Sequence, residues 1–182
     1  ARVVDCETGD VLVDITIDKE TTKEVLRHMK NFNVKPVITH GSHMVVEDVY
    51  NCMVNDHGRE FNVIEYESRM METEDLENFI DFPVNKILTA GDSDYLEQHY
   101  KEMSAPFEGR LSMMFTANFY YEFTAMNVNK GRSLALAMER LGIKPEECIA
   151  FGDAQNDISM LEFAGIGVAM GNAQKAVLEM AD

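Results

Sequence analysis

Three polar residues, Asp153, Asn156 and Asp157, fall within five positions, directly after the apolar run Cys148-Ile149-Ala150-Phe151 and a glycine, Gly152. Two carboxylates so close together suit a hard cation, and backbone N–H groups at the start of a helix suit an anionic group that such a cation bridges. Four apolar residues without alternation predict a short strand buried on both faces, as in parallel sheets. Gly152 gives a tight exit. Ile158, Met160, Leu161 and Phe163 then resume an apolar pattern compatible with a helix, with Asn156 or Asp157 as its N-cap. The acids are thereby expected at the carboxyl end of a strand, where ligands bind in open α/β sheets.

Around this stretch the pattern alternates helix and strand. Leu134, Met138 and Leu141 mark a helix, closed by Gly142, and Pro145 opens the next turn. A helix over about 157–164, a strand Gly167–Met170 and a helix capped by Asn172 follow. This is an α/β signature, and it begins near residue 125.

Upstream the reading differs. Residues 1–18 read as a hairpin about Thr8-Gly9-Asp10, and 20–32 as a helix opened by the capping box Thr21-x-x-Glu24. Strands are expected over 34–40, 44–54 and 84–89, and helices over 73–82 and after Asp92 or Ser93. A hairpin, Leu111–Phe115 with Phe119–Thr124, closes the segment. Residues 20–124 therefore read as α+β.

The 182 residues suffice for one large or two small domains, and the composition (46% hydrophobic, 26% charged) is globular. A net charge of −16 with no Lys/Arg run argues against nucleic acid or an anionic membrane as partner. It leaves a small phosphorylated ligand open, because diffuse surface charge is screened beyond roughly 8 Å at physiological salt. Three widely spaced cysteines, Cys6, Cys52 and Cys148, form no C-x-x-C pair and fit a reducing cytoplasm better than a disulfide framework. No apolar run approaches the ~20 residues of a membrane span, and no signal peptide is visible. The chain opens at Ala1 without Met and stops at Asp182 straight after a helix-like segment, so both ends are expected to be cut ends.

The ordered set Asn129-Lys130-Gly131, Leu141-Gly142-Ile143-Lys144-Pro145-Glu146-Glu147, Phe151-Gly152-Asp153-x-x-Asn156-Asp157-Ile158-x-Met160-Leu161 and Ala164–Ala173 closely resembles the haloacid-dehalogenase-like superfamily, in its Cof-type sugar-phosphatase branch. The resemblance covers 129–173 almost without gaps and is weaker elsewhere. It implies a partial Rossmann-like core, a parallel sheet flanked by helices, with an inserted α+β cap domain. On that reading 1–18 end the N-terminal half of the core, 19–124 form the cap and 125–182 the C-terminal half. The implied activity is Mg2+-dependent hydrolysis of sugar phosphates or similar monoesters through an aspartyl-phosphate.

Residue by residue, the resemblance makes Lys130 the contact to the phosphoryl group and nucleophile, and Asp153 a carboxylate of the Mg2+ shell. Asn156 becomes a phosphate or substrate contact. Asp157 is open to two roles, a second acid at the metal and its waters or a partner that orients Lys130. The family's nucleophilic D-x-D motif precedes the segment that Ala1 aligns with, so it is expected to be missing. Asp92-Ser93-Asp94 has the spacing but not the preceding strand, and reads as a helix cap. Two alternatives follow, a non-catalytic truncated module and a related phosphotransferase or mutase.

Other features have plainer readings. His40 and His43 lack an acid or Cys partner nearby, and their Gly-Ser-His-Met context reads as a cap loop. Phe115, Phe119, Tyr120, Tyr121 and Phe123 read as cap core, with Glu122 a candidate for the mouth of the site.

Overall fold

The computed structural model describes residues 1–64 and 69–182. They form two compact units, Ala1–Ile15 with Asn127–Asp182, and Thr16–Met126. The first unit opens with β1 (Arg2–Val4) and β2 (Val11–Asp14), an antiparallel pair as the Gly-Asp turn predicts.

In the second unit, α1 (Lys19–Met29) starts ahead of the Thr21 signal, because Asp18 is the cap and accepts the Thr21 N–H. Its buried stripe is Val25, Leu26 and Met29. Next come β3 (Lys35–His40), β4 (His43–Val46), β5 (Met53–Asp56), β6 (Arg59–Asn62), β7 (Arg69–Glu72), α2 (Leu76–Phe79) and β8 (Lys86–Ala90). The unit ends with α3 (Ser93–Ser104), β9 (Leu111–Ala117) and β10 (Tyr120–Ala125).

Among the described residues of this unit, a six-stranded sheet has the order β7-β4-β3-β8-β10-β9, with its β4–β7 pairing parallel and the others antiparallel, and β5 and β6 form a separate antiparallel pair. One cluster packs Val25, Leu26 and Met29 with Ile38, Ile87, Leu96, Met103 and Phe123. A second packs Cys52, Val54, Val63 and Ile64 with Val37, Val46, Leu88 and Ala90. The expected single strand over 44–54 is broken in two, because Asp48 accepts the N–H groups of Tyr50 and Asn51 and turns the chain. His40 and His43 face each other across the β3–β4 turn, and His40 packs on Phe82. Asp92 occupies the cap position of α3 but makes no side-chain cap bond there. Its carboxylate accepts the Asn55 N–H instead.

The first unit resumes with α4 (Lys130–Leu141), β11 (Ile149–Gly152), α5 (Ile158–Phe163), β12 (Ile166–Ala169) and α6 (Lys175–Met180). The strands β11 and β12 are parallel, with Ile149 opposite Ile166 and Gly152 opposite Ala169. Ala150 is buried with Leu161 of α5 and Val177 of α6. The alternate residues are not covered. Ile149 and Phe151 are each 60% exposed and Ile166 49%, so the strand expected to be buried on both faces is buried on one. Among the described residues, no helix is long and apolar enough to cross a membrane.

Candidate active site

Gly152 ends β11, and a Cβ there would lie 2.5 Å from the Asp157 Cβ. Only glycine lets the next turn fold back so tightly that a buried carboxylate sits against the strand end. That turn is a short 3-10 helix, Gln155–Asp157, which runs straight into α5.

Asp157 does not cap α5 with its side chain. Its Oδ2 instead accepts the N–H groups of Asp153 at 3.0 Å and Ala154 at 3.1 Å, while Oδ1 accepts the Lys130 ammonium. The N–H groups expected to serve an anion are therefore occupied in part by the chain's own acid. The two side chains of the pair differ sharply in exposure, 6% for Asp157 and 50% for Lys130. The Lys130 hydrogen bond above all, then the two backbone N–H bonds, hold the Asp157 carboxyl below the ordinary carboxylate range against the opposing effect of burial. Asp157 is thus a fixed anion at neutral pH.

Lys130 is the first residue of α4, whose cap Asn129 accepts the Arg132 N–H at 2.8 Å. The following residue, Gly131, donates its N–H to the Ser159 hydroxyl of α5 at 3.1 Å. A Cβ on Gly131 would come within 2.0 Å of the Ser159 carbonyl oxygen, so the two helix starts meet backbone to backbone.

Asp153 is exposed at the strand end, and its Oδ2 accepts the Asn172 side-chain amide at 3.3 Å. Two main-chain bonds tie the exits of β11 and β12 together, from the Met170 N–H to the Gly152 carbonyl and from the Gln174 N–H to the Asp153 carbonyl. Asn156 is exposed on the 3-10 turn. Lys130 and Asp153 are therefore brought together through one carboxylate, Asp157. Asn172, expected as a helix cap, serves Asp153 instead, and α6 starts after Gln174. Nothing in the sequence pattern singles out Ser159.

The donors fit a hard, oxygen-seeking cation in kind, since Asp153 offers an exposed carboxylate beside an amide-bearing loop. They do not complete a coordination sphere: among the described residues no three His, Cys, Asp or Glu side chains cluster to hold a metal. Mg2+ binds through one or two carboxylates plus waters and substrate oxygens, so one free acid is a usable partial set.

A sequence profile of haloacid dehalogenase-like hydrolases matches residues 1–182. The HMP-PP phosphatase of Citrobacter koseri is 38% identical over 95 residues, 52% of this chain and 35% of that protein. The 5-amino-6-(5-phospho-D-ribitylamino)uracil phosphatase of Bacillus subtilis is 51% identical over 61 residues, 34% of this chain and 24% of that protein. A crystal structure of a haloacid dehalogenase-like hydrolase from Bacteroides thetaiotaomicron superposes with a TM-score of 0.85 at 26% identity, covering all of this chain and 66% of the other. The chain thus matches much less than two thirds of the length of these curated relatives. With the family profile matching from end to end, the chain belongs to the haloacid dehalogenase-like hydrolases, in the Cof-type branch that its motifs resemble.

Proposed function

We propose that this chain carries the phosphoryl-gripping and cation-binding part of a Mg2+-dependent phosphatase. Its substrates are sugar phosphates or similar small phosphate monoesters, cleaved through an aspartyl-phosphate. One observation carries the reading: the Asp157 carboxylate holds the Lys130 ammonium on one side and the main chain of Asp153 on the other. Similarity to relatives named as phosphatases of small phosphorylated compounds supports it.

Each residue then has a distinct task. Lys130, half exposed, presents a compact positive charge to the oxygens of the transferring group. Asp157, with both oxygens engaged, orients that ammonium and shapes the turn, and we favour this over a direct metal role. Asp153 is the carboxylate that would hold the cation, steadied by Asn172. When bound, the cation supplies the positive charge that offsets repulsion between an anionic phosphate and an attacking carboxylate. Asn156 contacts phosphate or substrate from the same turn. No residue of 1–182 is assigned as the nucleophile. Residues 16–126 act as the cap and the remainder as part of the catalytic core. Three free cysteines fit a protein of the reducing cytoplasm.

The test is Asp153→Ala in the intact protein, which abolishes Mg2+-dependent hydrolysis on this reading. Activity at the wild-type level in that variant would overturn it. A second reading, a module that binds without turnover, draws on the incomplete donor set. Mg2+-dependent hydrolysis of p-nitrophenyl phosphate by residues 1–182 alone would exclude that second reading.

A further inference from the structure

We propose that Ser159 is a positioning residue that sets where the Lys130 ammonium stands, a role that rests on the function proposed above. The first four N–H groups of a helix have no partner within the helix and must be satisfied from outside. In α4 the Asn129 side chain takes the Arg132 N–H, and the Ser159 hydroxyl takes that of Gly131, the residue bonded to Lys130. Two residues before Ser159, Asp157 accepts the ammonium of the same lysine. One short segment, Asp157 to Ser159, therefore grips Lys130 twice, through its side chain and through the peptide that follows it.

The bare Cα of Gly131 makes the second grip possible. With no Cβ, the start of α4 lies against the Ser159 main chain at a distance no other residue tolerates. Closeness alone leaves the helix free to slide along α5, whereas a directed N–H to hydroxyl bond fixes it. Without that bond the Gly131 N–H loses its partner in a buried place. Small displacements of a charged group that stabilises a transition state lower the rate of the chemical step more than the affinity for substrate.

The experiment compares intact wild-type protein with Ser159→Ala and Ser159→Thr, using p-nitrophenyl phosphate with Mg2+ and binding of inorganic phosphate. The expected result for Ser159→Ala is a drop in kcat on the order of tenfold with KM nearly unchanged, largely restored in Ser159→Thr, which keeps the hydroxyl. In a Lys130→Ala background, Ser159→Ala is expected to lower the residual kcat no further, because its effect runs through the lysine. Wild-type kcat in Ser159→Ala, failure of Ser159→Thr to recover, or additive losses in the double variant would each overturn the role. Absence of phosphatase activity in the wild-type protein would instead sink the functional reading. The backbone contact is still read independently, by an upfield shift of the Gly131 amide proton in Ser159→Ala.

Discussion

Lys130 and Asp157 stand 27 residues apart in the chain, yet the ammonium of one rests on the carboxylate of the other, with the acid buried and the base half exposed. The asymmetry matters. The anion is enclosed and receives three hydrogen-bond donors, whereas the cation keeps a face open to a ligand.

Replacing Asp157 by Asn keeps the volume but puts an amide NH2 opposite donors, either the ammonium or the two N–H groups. We expect a loss of about 2 kcal/mol in urea unfolding of the intact protein, with phosphate binding weakened because Lys130 is released. The sign of the pH effect follows from the depressed carboxyl. Folding holds Asp157 below its unfolded value near 4, so its contribution is fully present above about pH 4. It is lost as pH falls through the lower, folded value. The difference in stability between wild type and Asp157→Asn should therefore be level from about pH 7 to 5 and shrink below about 4. An undiminished difference at about pH 3 contradicts the ion pair.

Gly131→Ala tests packing against propensity. Alanine favours a helix interior by about 1 kcal/mol over glycine, so on propensity alone the variant gains stability. The added Cβ would stand 2.0 Å from the Ser159 carbonyl oxygen, so α4 must move away from α5 instead. We expect a net loss of roughly 1–3 kcal/mol in denaturant melts and a large drop in activity. A stabilised variant would show that the helix starts are not in contact.

That Asp153 and Asp157 stand at one strand exit is legible in the sequence because they share a five-residue stretch, whereas Lys130, 27 residues from Asp157, enters only through the family resemblance. Asp157 shows the limit of such reading. Its position suggests a helix cap, but its carboxylate turns back to Asp153 and Ala154, a choice set by the bare Gly152 against it. The position of Asn172 suggests a cap for the same reason, and Asp153 claims its side chain. In the 16–126 unit, the order of most helices and strands follows from periodicity. That of β6 and β7 does not, because Arg59-Glu60-Phe61-Asn62 and Arg69-Met70-Met71-Glu72 carry little β-rich alternation. Tertiary pairing makes them strands.

Asp18→Ala separates the two units. Asp18 accepts the Thr21 N–H at 2.9 Å and its hydroxyl at 2.8 Å, and these bonds depress its carboxyl. Losing the cap costs about 1 kcal/mol of stability in the 16–126 unit, since the first turn of α1 regains an unsatisfied donor. The capping contribution is present above about pH 4 and lost below it, by the same sign as for Asp157. Phosphate affinity should not change, because the bonds of Asp18 go to the first turn of its own helix. Thermal melts followed alongside phosphate titrations check both halves of this expectation.

The uncovered face of β11 and β12 gives the last prediction. Parallel sheets are covered on both faces, and a contiguous apolar patch on a folded surface marks a place where something packs. Ile149, Phe151 and Ile166 form such a patch, while the solved relative has a third of its chain outside the match. We expect more of the intact protein's core to lie over these side chains. Phe151→Glu should then act with opposite sign in two settings. In the intact protein it buries a charge, costing more than about 2 kcal/mol and lowering activity with stability. In residues 1–182 alone it places a charge in water and breaks the patch, so light scattering should show less self-association. An intact protein that tolerates Phe151→Glu without loss of stability would mean that this face meets solvent there too, and the partial-core reading of the unit would have to be abandoned.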